Sequence, residues 1–149
     1  MLILILSLTV LLLDQATKAW AQHALSDIVS LPVIPGFFHL TLVHNSGVAF
    51  GLFQDQSLLV FCGVLVILGG LFWVILRKQA LRRGAAAGSL GLILGGALGN
   101  LIDRIRFGGV VDFLDFQVWP VFNLADSCIT VGAVWLGWNI LKSQRSVSA

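Results

Sequence analysis

GGVVDFLDFQVWPVFNLADS, from Gly108 to Ser127, sets three aspartates among Val, Phe, Leu and Trp. An isolated ionised carboxylate in apolar surroundings is costly, so such groups are paired, hydrogen-bonded or neutralised. What surrounds this stretch decides the fold. The 149-residue chain is 58% hydrophobic and 11% charged, with mean hydropathy +0.96. Soluble domains carry about 25% charged residues. The solvent this composition asks for is lipid. All seven acidic residues are Asp. A soluble helical protein uses Glu freely on its wet faces, so this chain has few wet helix faces.

Four apolar runs flank or precede the quoted stretch, at about 1–21, 57–76, 84–102 and 123–141. Each is near the roughly 20 residues that a spanning helix needs. The first ends in Ala19-Trp20-Ala21, which imitates a signal-peptide cleavage site. It lacks a basic leading region, and Asp14 and Lys18 interrupt it, so it reads as a retained helix. Arg77–Gly84, RKQALRRG, holds four of the nine Lys and Arg residues, and Lys142 and Arg145 follow the last run. The positive-inside rule puts both segments, and so both chain ends, in the cytoplasm. Two outward segments remain, about 23–56 and 103–122. The first contains FFHLTLVHNSGVAFG (Phe37–Gly51), with alternation, β-branched residues and a turn at Asn45-Ser46-Gly47. The reading is an all-α membrane protein, one domain over 1–149. It has four transmembrane helices and a small β-sheet resting on the outer membrane surface. FQVWPVFN (Phe116–Asn123) reads as an interfacial aromatic anchor.

On this topology the polar groups converge. Asp14 and Lys18 fall in the outer half of the first helix. Asn100, Asp103 and Arg104 end the third, Asp112 and Asp115 lie in the second outer loop, and Asn123 and Asp126 open the fourth. Ionisable groups in membrane segments cost roughly 2.5–3.5 kcal/mol on insertion scales and mark functional sites by default. Plainer readings stand beside each. Asp14 and Lys18, spaced i,i+4 with the acid first, suit a helix ion pair as well as a substrate contact. Arg104 suits an ion pair with Asp103 as well as a ligand contact. Asn45 and Gly47 suit a turn. Gly91, Gly95 and Gly99 make a small-residue ridge for helix packing. Asp27 and Asp55 read as solvated loop charges. Cys62 and Cys128 lie in apolar runs as packing residues. His23, His39 and His44 show no metal spacing, and no Ser/His/Asp nucleophile arrangement is evident. A net charge of +2 gives no reason to expect nucleic acid.

Asp126, near the start of the fourth helix, has a helix-dipole explanation; Asp112, in VVDF, has none. Two carboxyls held together at low dielectric share one proton. The ionised one activates water while the protonated one polarises a carbonyl or protonates a leaving amine. That is aspartic peptidase chemistry, without metal, cofactor or covalent intermediate. The same spacing serves a proton-coupled carrier using the pair as a relay, or a non-enzymatic assembly factor with the acids as interhelical glue. The inner halves of the helices lack ionisable residues, which disfavours the carrier.

DQATK (Asp14–Lys18), NSGVAFG (Asn45–Gly51), GGALGNLIDRIRFGGVVDFLDF (Gly95–Phe116) and FNLADSCI (Phe122–Ile129) together resemble the signal peptidase II (lipoprotein signal peptidase) family. The resemblance runs through nearly the whole chain in the right order. It implies a bacterial inner-membrane aspartic endopeptidase with Asp112 and Asp126 as the catalytic pair. Asp115 falls outside the motif position. Asp14, Lys18, Asn45, Gly47, Asn100, Arg104 and Asn123 match supporting or substrate-binding positions. The implied substrate is a prolipoprotein whose cysteine carries diacylglycerol, cut just before that cysteine. Globomycin is the implied inhibitor, no cofactor or metal is needed, and the enzyme is expected to work as a monomer among membrane lipids.

Overall fold

In the computed structural model the described residues are 1–46 and 83–145, with scattered helical positions between 62 and 77. The expected 57–76 helix and Gly47 fall mostly or wholly outside them. Three long helices are described: α1 (Leu2–Ala24), α2 (Gly84–Phe107) and α3 (Leu124–Arg145). All three contain stretches long and apolar enough to cross a membrane. At 1.5 Å per residue, α1 alone is about 35 Å long, enough for a hydrocarbon core of about 30 Å.

The burial of α1 is inverted relative to a soluble helix. Its buried face is Ser7, Val10, Asp14, Lys18 and Ala21, spaced three and four apart, while Leu4, Leu8 and Leu12 point outward. Polar and small groups face the protein and leucines face the surroundings, as lipid requires. The buried stripe lies on α2, whose glycines set the approach. A methyl group at Gly95 would sit 2.7 Å from the Ser7 carbonyl oxygen, and one at Gly91 2.7 Å from Leu6 Cβ. Ser7 Oγ donates to the Gly91 carbonyl at 3.1 Å. On its other side α2 meets α3, where Gly96 abuts the Ala125 carbonyl and Gly132 of α3 abuts the Ser89 carbonyl. The glycine ridge of Gly91, Gly95 and Gly99 is helix packing against α1, as its spacing predicts, and Gly96 beside it does the same for α3.

α2 runs five residues past its expected end and stops at Gly108, which takes a left-handed φ of 73° and returns its amide to the Arg104 carbonyl at 3.0 Å. The segment expected as a plain outer loop then becomes a strand, β3 (Val110–Asp115). It joins β1 (Leu31–Ile34) and β2 (Phe38–Asn45) in an antiparallel sheet of order β1-β2-β3. Val43 pairs with Asp112 and His39 with Asp115. The sheet therefore draws on both segments expected to face outward. Periodicity in the first was visible, whereas the buried VVDFLD run hid its strand character, because buried strands lose alternation. β3 is the strand against the helices. Phe113 packs with Ala21 and Leu25 at the end of α1, with Leu40, Leu42 and Leu114 beside it. Beyond β3, Phe116 stacks on Phe122 at 5.9 Å and meets Phe38 at 4.9 Å, while Val118 and Trp119 stand exposed.

Candidate active site

Asn123 opens α3 and shows how local sequence fixes the site. Its Oδ1 accepts the Asp126 amide at 2.9 Å, and the Asp126 carboxylate accepts the Asn123 amide at 3.3 Å. This is a reciprocal capping box with Asn and Asp in place of the usual Ser/Thr and Glu. The Asn123 Nδ2 group is thereby free to turn the other way. It donates to Asp112 Oδ1 at 2.7 Å, Asn100 Oδ1 at 3.1 Å and the Val111 carbonyl at 3.2 Å. One fully buried side chain thus joins the start of α3 to β3 and to α2.

The two aspartates meet across this hub. Asp112 also accepts from Asn45 Nδ2 of β2 at 3.1 Å, and Asp126 accepts from Asn100 Nδ2 at 2.7 Å. Both line a cavity of about 250 Å³ together with Asn45, Asn100, Arg104, Trp119 and Phe122. Arg104 Nη1 donates to the Asn100 carbonyl at 3.2 Å. Burial, and then the charge of Asp126, push the Asp112 carboxyl up from its ordinary value of 3.8 to about 7. Near neutral pH it is poised between acid and base.

Asp115 lies outside this cavity. Residues three apart on a strand point to opposite faces. Its carboxylate is taken up by the Gln117 amide at 2.7 Å, Gln117 Nε2 at 2.7 Å and Thr41 Oγ1 at 2.8 Å. These bonds hold a turn in which Gln117 has a positive φ of 64°.

Asp14 and Lys18 lie beneath the cavity rather than in it. Lys18, 2% exposed, places Nζ 2.8 Å from Asp14 Oδ2, 2.8 Å from Asp103 Oδ2 and 2.8 Å from Asn100 Oδ1. An ammonium has three donors, and all three are used. The carboxylate oxygens are also met. The Ala125 amide at the head of α3 donates to Asp14 Oδ1 at 2.9 Å, Gln15 Nε2 to Asp103 Oδ1 at 2.9 Å, and the Val111 amide to Asp103 Oδ2 at 3.1 Å. A side chain at Gly99 would collide with the Asp14 carboxylate. Lys18 is thus a buried pairing residue. The Asp103 carboxylate turns to it rather than to the adjacent Arg104, because consecutive helix residues do not face each other. Gln15 and the Asp103–Lys18 contact were missed at the sequence level. Their only signal is that Asp14, Gln15 and Lys18 share a helix end with polar neighbours.

Of the nine sequence-predicted site residues, Asp112, Asp126, Asn45, Asn100 and Arg104 surround the cavity and Asn123 ties it together. Asp14 and Lys18 support it from below, and Gly47 lies outside the described residues. The fold and site define a helical membrane protein in which a buried carboxyl from a small sheet and a half-buried one from a helix line one cavity. A family model described as signal peptidase (SPase) II matches residues 6–142. The lipoprotein signal peptidase of Moorella thermoacetica is 50% identical over 138 residues, covering 93% of this chain and 91% of the relative. That of Pelotomaculum thermopropionicum is 47% identical over 152 residues, covering 99% and 97%. A bacterial membrane enzyme solved by the in meso method at 2.3 Å resolution superimposes with a TM-score of 0.83 at 32% identity, covering 95% of this chain and 88% of that one. The chain belongs to the signal peptidase II family of membrane peptidases.

Proposed function

We propose that this peptidase removes the signal peptide from diacylglyceryl-modified bacterial prolipoproteins, cutting just before the lipidated cysteine, with Asp112 and Asp126 as its catalytic pair. The observation that carries the assignment is that both carboxyls line one cavity and are bridged by Asn123 and Asn100. Asp112, pushed up to about 7, shares one proton with Asp126.

The chemistry follows. The ionised carboxyl takes a proton from a water molecule as its oxygen attacks the scissile carbonyl carbon. The protonated carboxyl gives its proton to the carbonyl oxygen, forming a gem-diol. Collapse of the diol breaks the C–N bond, a proton passes to the departing amine, and the products are the signal peptide's new carboxyl terminus and the cysteine's amino group. A scissile segment must leave its helix to be cut, and freed backbone groups in lipid need partners. Asn45, Asn100 and Arg104 offer them around the cavity, and the exposed Trp119 beside Asp112 and Asp126 gives the lipid-bearing end an apolar wall.

The whole chain acts as one peptidase domain, a monomer in the bacterial inner membrane. It has four spans, both termini in the cytoplasm, and the sheet on the outer surface, where the site meets the substrate's lipid. Globomycin is the inhibitor that this assignment implies. Cleavage of a purified diacylated precursor by the detergent-solubilised enzyme tests the assignment. Asp112→Asn and Asp126→Asn each abolish cleavage in protein that still folds, because an amide serves as neither acid nor base. Asp115→Asn keeps substantial activity. A dead Asp115→Asn with an active Asp112→Asn overturns the pair.

A further inference from the structure

Asn100 has one acceptor and one donor end, and its neighbours decide which faces the pair. Its Oδ1 receives Lys18 Nζ at 2.8 Å and Asn123 Nδ2 at 3.1 Å, which leaves Nδ2 directed at Asp126 Oδ1 at 2.7 Å. We propose that Lys18 is a positioning residue for catalysis: from beneath the cavity its ammonium locks the Asn100 amide with the donor toward Asp126. The ammonium is the stronger of the two locks, because hydrogen bonds to charged groups are about twice as strong as neutral ones. It is itself immobilised by Asp14 and Asp103. A flipped Asn100 would turn its carbonyl oxygen toward the Asp126 carboxylate, lone pair against lone pair, and would draw a proton onto the pair. The buried ion cluster thereby sets the protonation state of two carboxyls that it reaches only through Asn100. Helix α1 thereby gains a part in the reaction beyond its packing.

The proposal rests on the assignment of Asp112 and Asp126 as the catalytic pair. Among the described residues the charged groups around Asn100 and the pair are Asp14 and Lys18 from α1, Asp103 and Arg104 from α2, Asp112 from β3 and Asp126 from α3, while β2 supplies the neutral Asn45. Lys18→Met alone leaves two buried carboxylates facing each other and is expected to melt early. The informative variant is therefore the neutral triple, Asp14→Asn with Lys18→Met and Asp103→Asn, which removes the charge on both sides.

The full-length enzyme in detergent is assayed on a diacylglyceryl-modified precursor peptide, with melting followed in parallel. The triple variant melts above Lys18→Met. Its kcat falls about 10- to 100-fold with KM unchanged, the range expected for losing a hydrogen bond to a charged group. The acid limb of its pH–rate profile moves to higher pH, because the pair binds its second proton more tightly. A folded triple variant with wild-type kcat and pH profile overturns the relay and leaves Lys18 as a structural counter-ion. Should the triple variant fail to fold, Asn100→Leu cuts the same relay at its other link. It is expected to show the same loss and the same shift, and a wild-type profile there overturns the proposal equally. Asp112→Asn and Asp126→Asn run alongside. Cleavage retained by both overturns the pair assignment and the relay with it, whereas inactive pair variants beside a wild-type triple overturn the relay alone.

Discussion

Asn123 does two separable jobs, and two substitutions separate them. Its Oδ1 caps α3 by accepting the Asp126 amide, while its Nδ2 reaches Asp112, Asn100 and the Val111 carbonyl. Asn123→Ala removes both. Losing an N-cap costs about 0.5–2 kcal/mol, and leaving buried acceptors without their donor costs about 1–3 kcal/mol. The sum is about 1.5–5 kcal/mol, and Asn45, which still donates to Asp112, keeps the loss below the top of that range. At about 2–4 °C per kcal/mol for a chain of this size, melting should fall by about 3–20 °C. Asn123→Ser restores the cap with a hydroxyl that is too short to span to Asp112. It should recover the cap's share of the loss, about 1–8 °C, yet recover no rate. Both variants lose the shorter of the two amide bonds to Asp112, and kcat/KM should fall about 10- to 100-fold in each. The assay is melting by intrinsic fluorescence beside cleavage kinetics on the same preparations. If Asn123→Ser restores rate and stability together, the amide does not position Asp112. If it restores neither, the cap is not what stabilises the start of α3.

Removing Lys18 should destabilise the protein by about 3–5 kcal/mol, the usual cost of breaking a buried pair. The double change Asp14→Ala with Lys18→Ala should recover only part of this in melting curves, because Asp103 still lacks its cation; full recovery would show that Asp103 needs no counter-ion. Asp112 binds its proton more tightly in the folded chain than at its ordinary value of 3.8, so it favours the native state at low pH. That contribution is lost as pH climbs from about 4 to about 7. Asp112→Asn should flatten this part of a plot of melting temperature against pH, and an unchanged slope would refute the shift. The wild-type rate should likewise decline above about pH 7 as the pair loses the proton it shares. Saturating EDTA should leave cleavage unchanged; a loss reversed by zinc would point to a metallopeptidase.

Composition and order along the chain were enough to read lipid as the solvent, the polar residues as converging on one end of the helices, and the family. Hydrophobic runs, small-residue ridges and the NLAD start of α3 are local signals, each carried by residues within a turn or two of one another. Asp112 and Asp126 stood out because an ionisable group among apolar neighbours is anomalous wherever the chain folds. Other features come from contacts between residues far apart in sequence, which no local pattern encodes. β3 is a strand because β2 lies beside it, and the pleat then sends Asp112 to the cavity and Asp115 to a turn. Lys18 chooses Asp103, 85 positions away, because the glycine ridge of α2 lets α1 approach closely enough for the two to meet beside Gly99. Asn100 and Asn123 read in the sequence as two polar residues at helix ends. Only the packing of α1, α2 and α3 at that end turned them into one hydrogen-bonded bridge between a buried cation and two carboxyls.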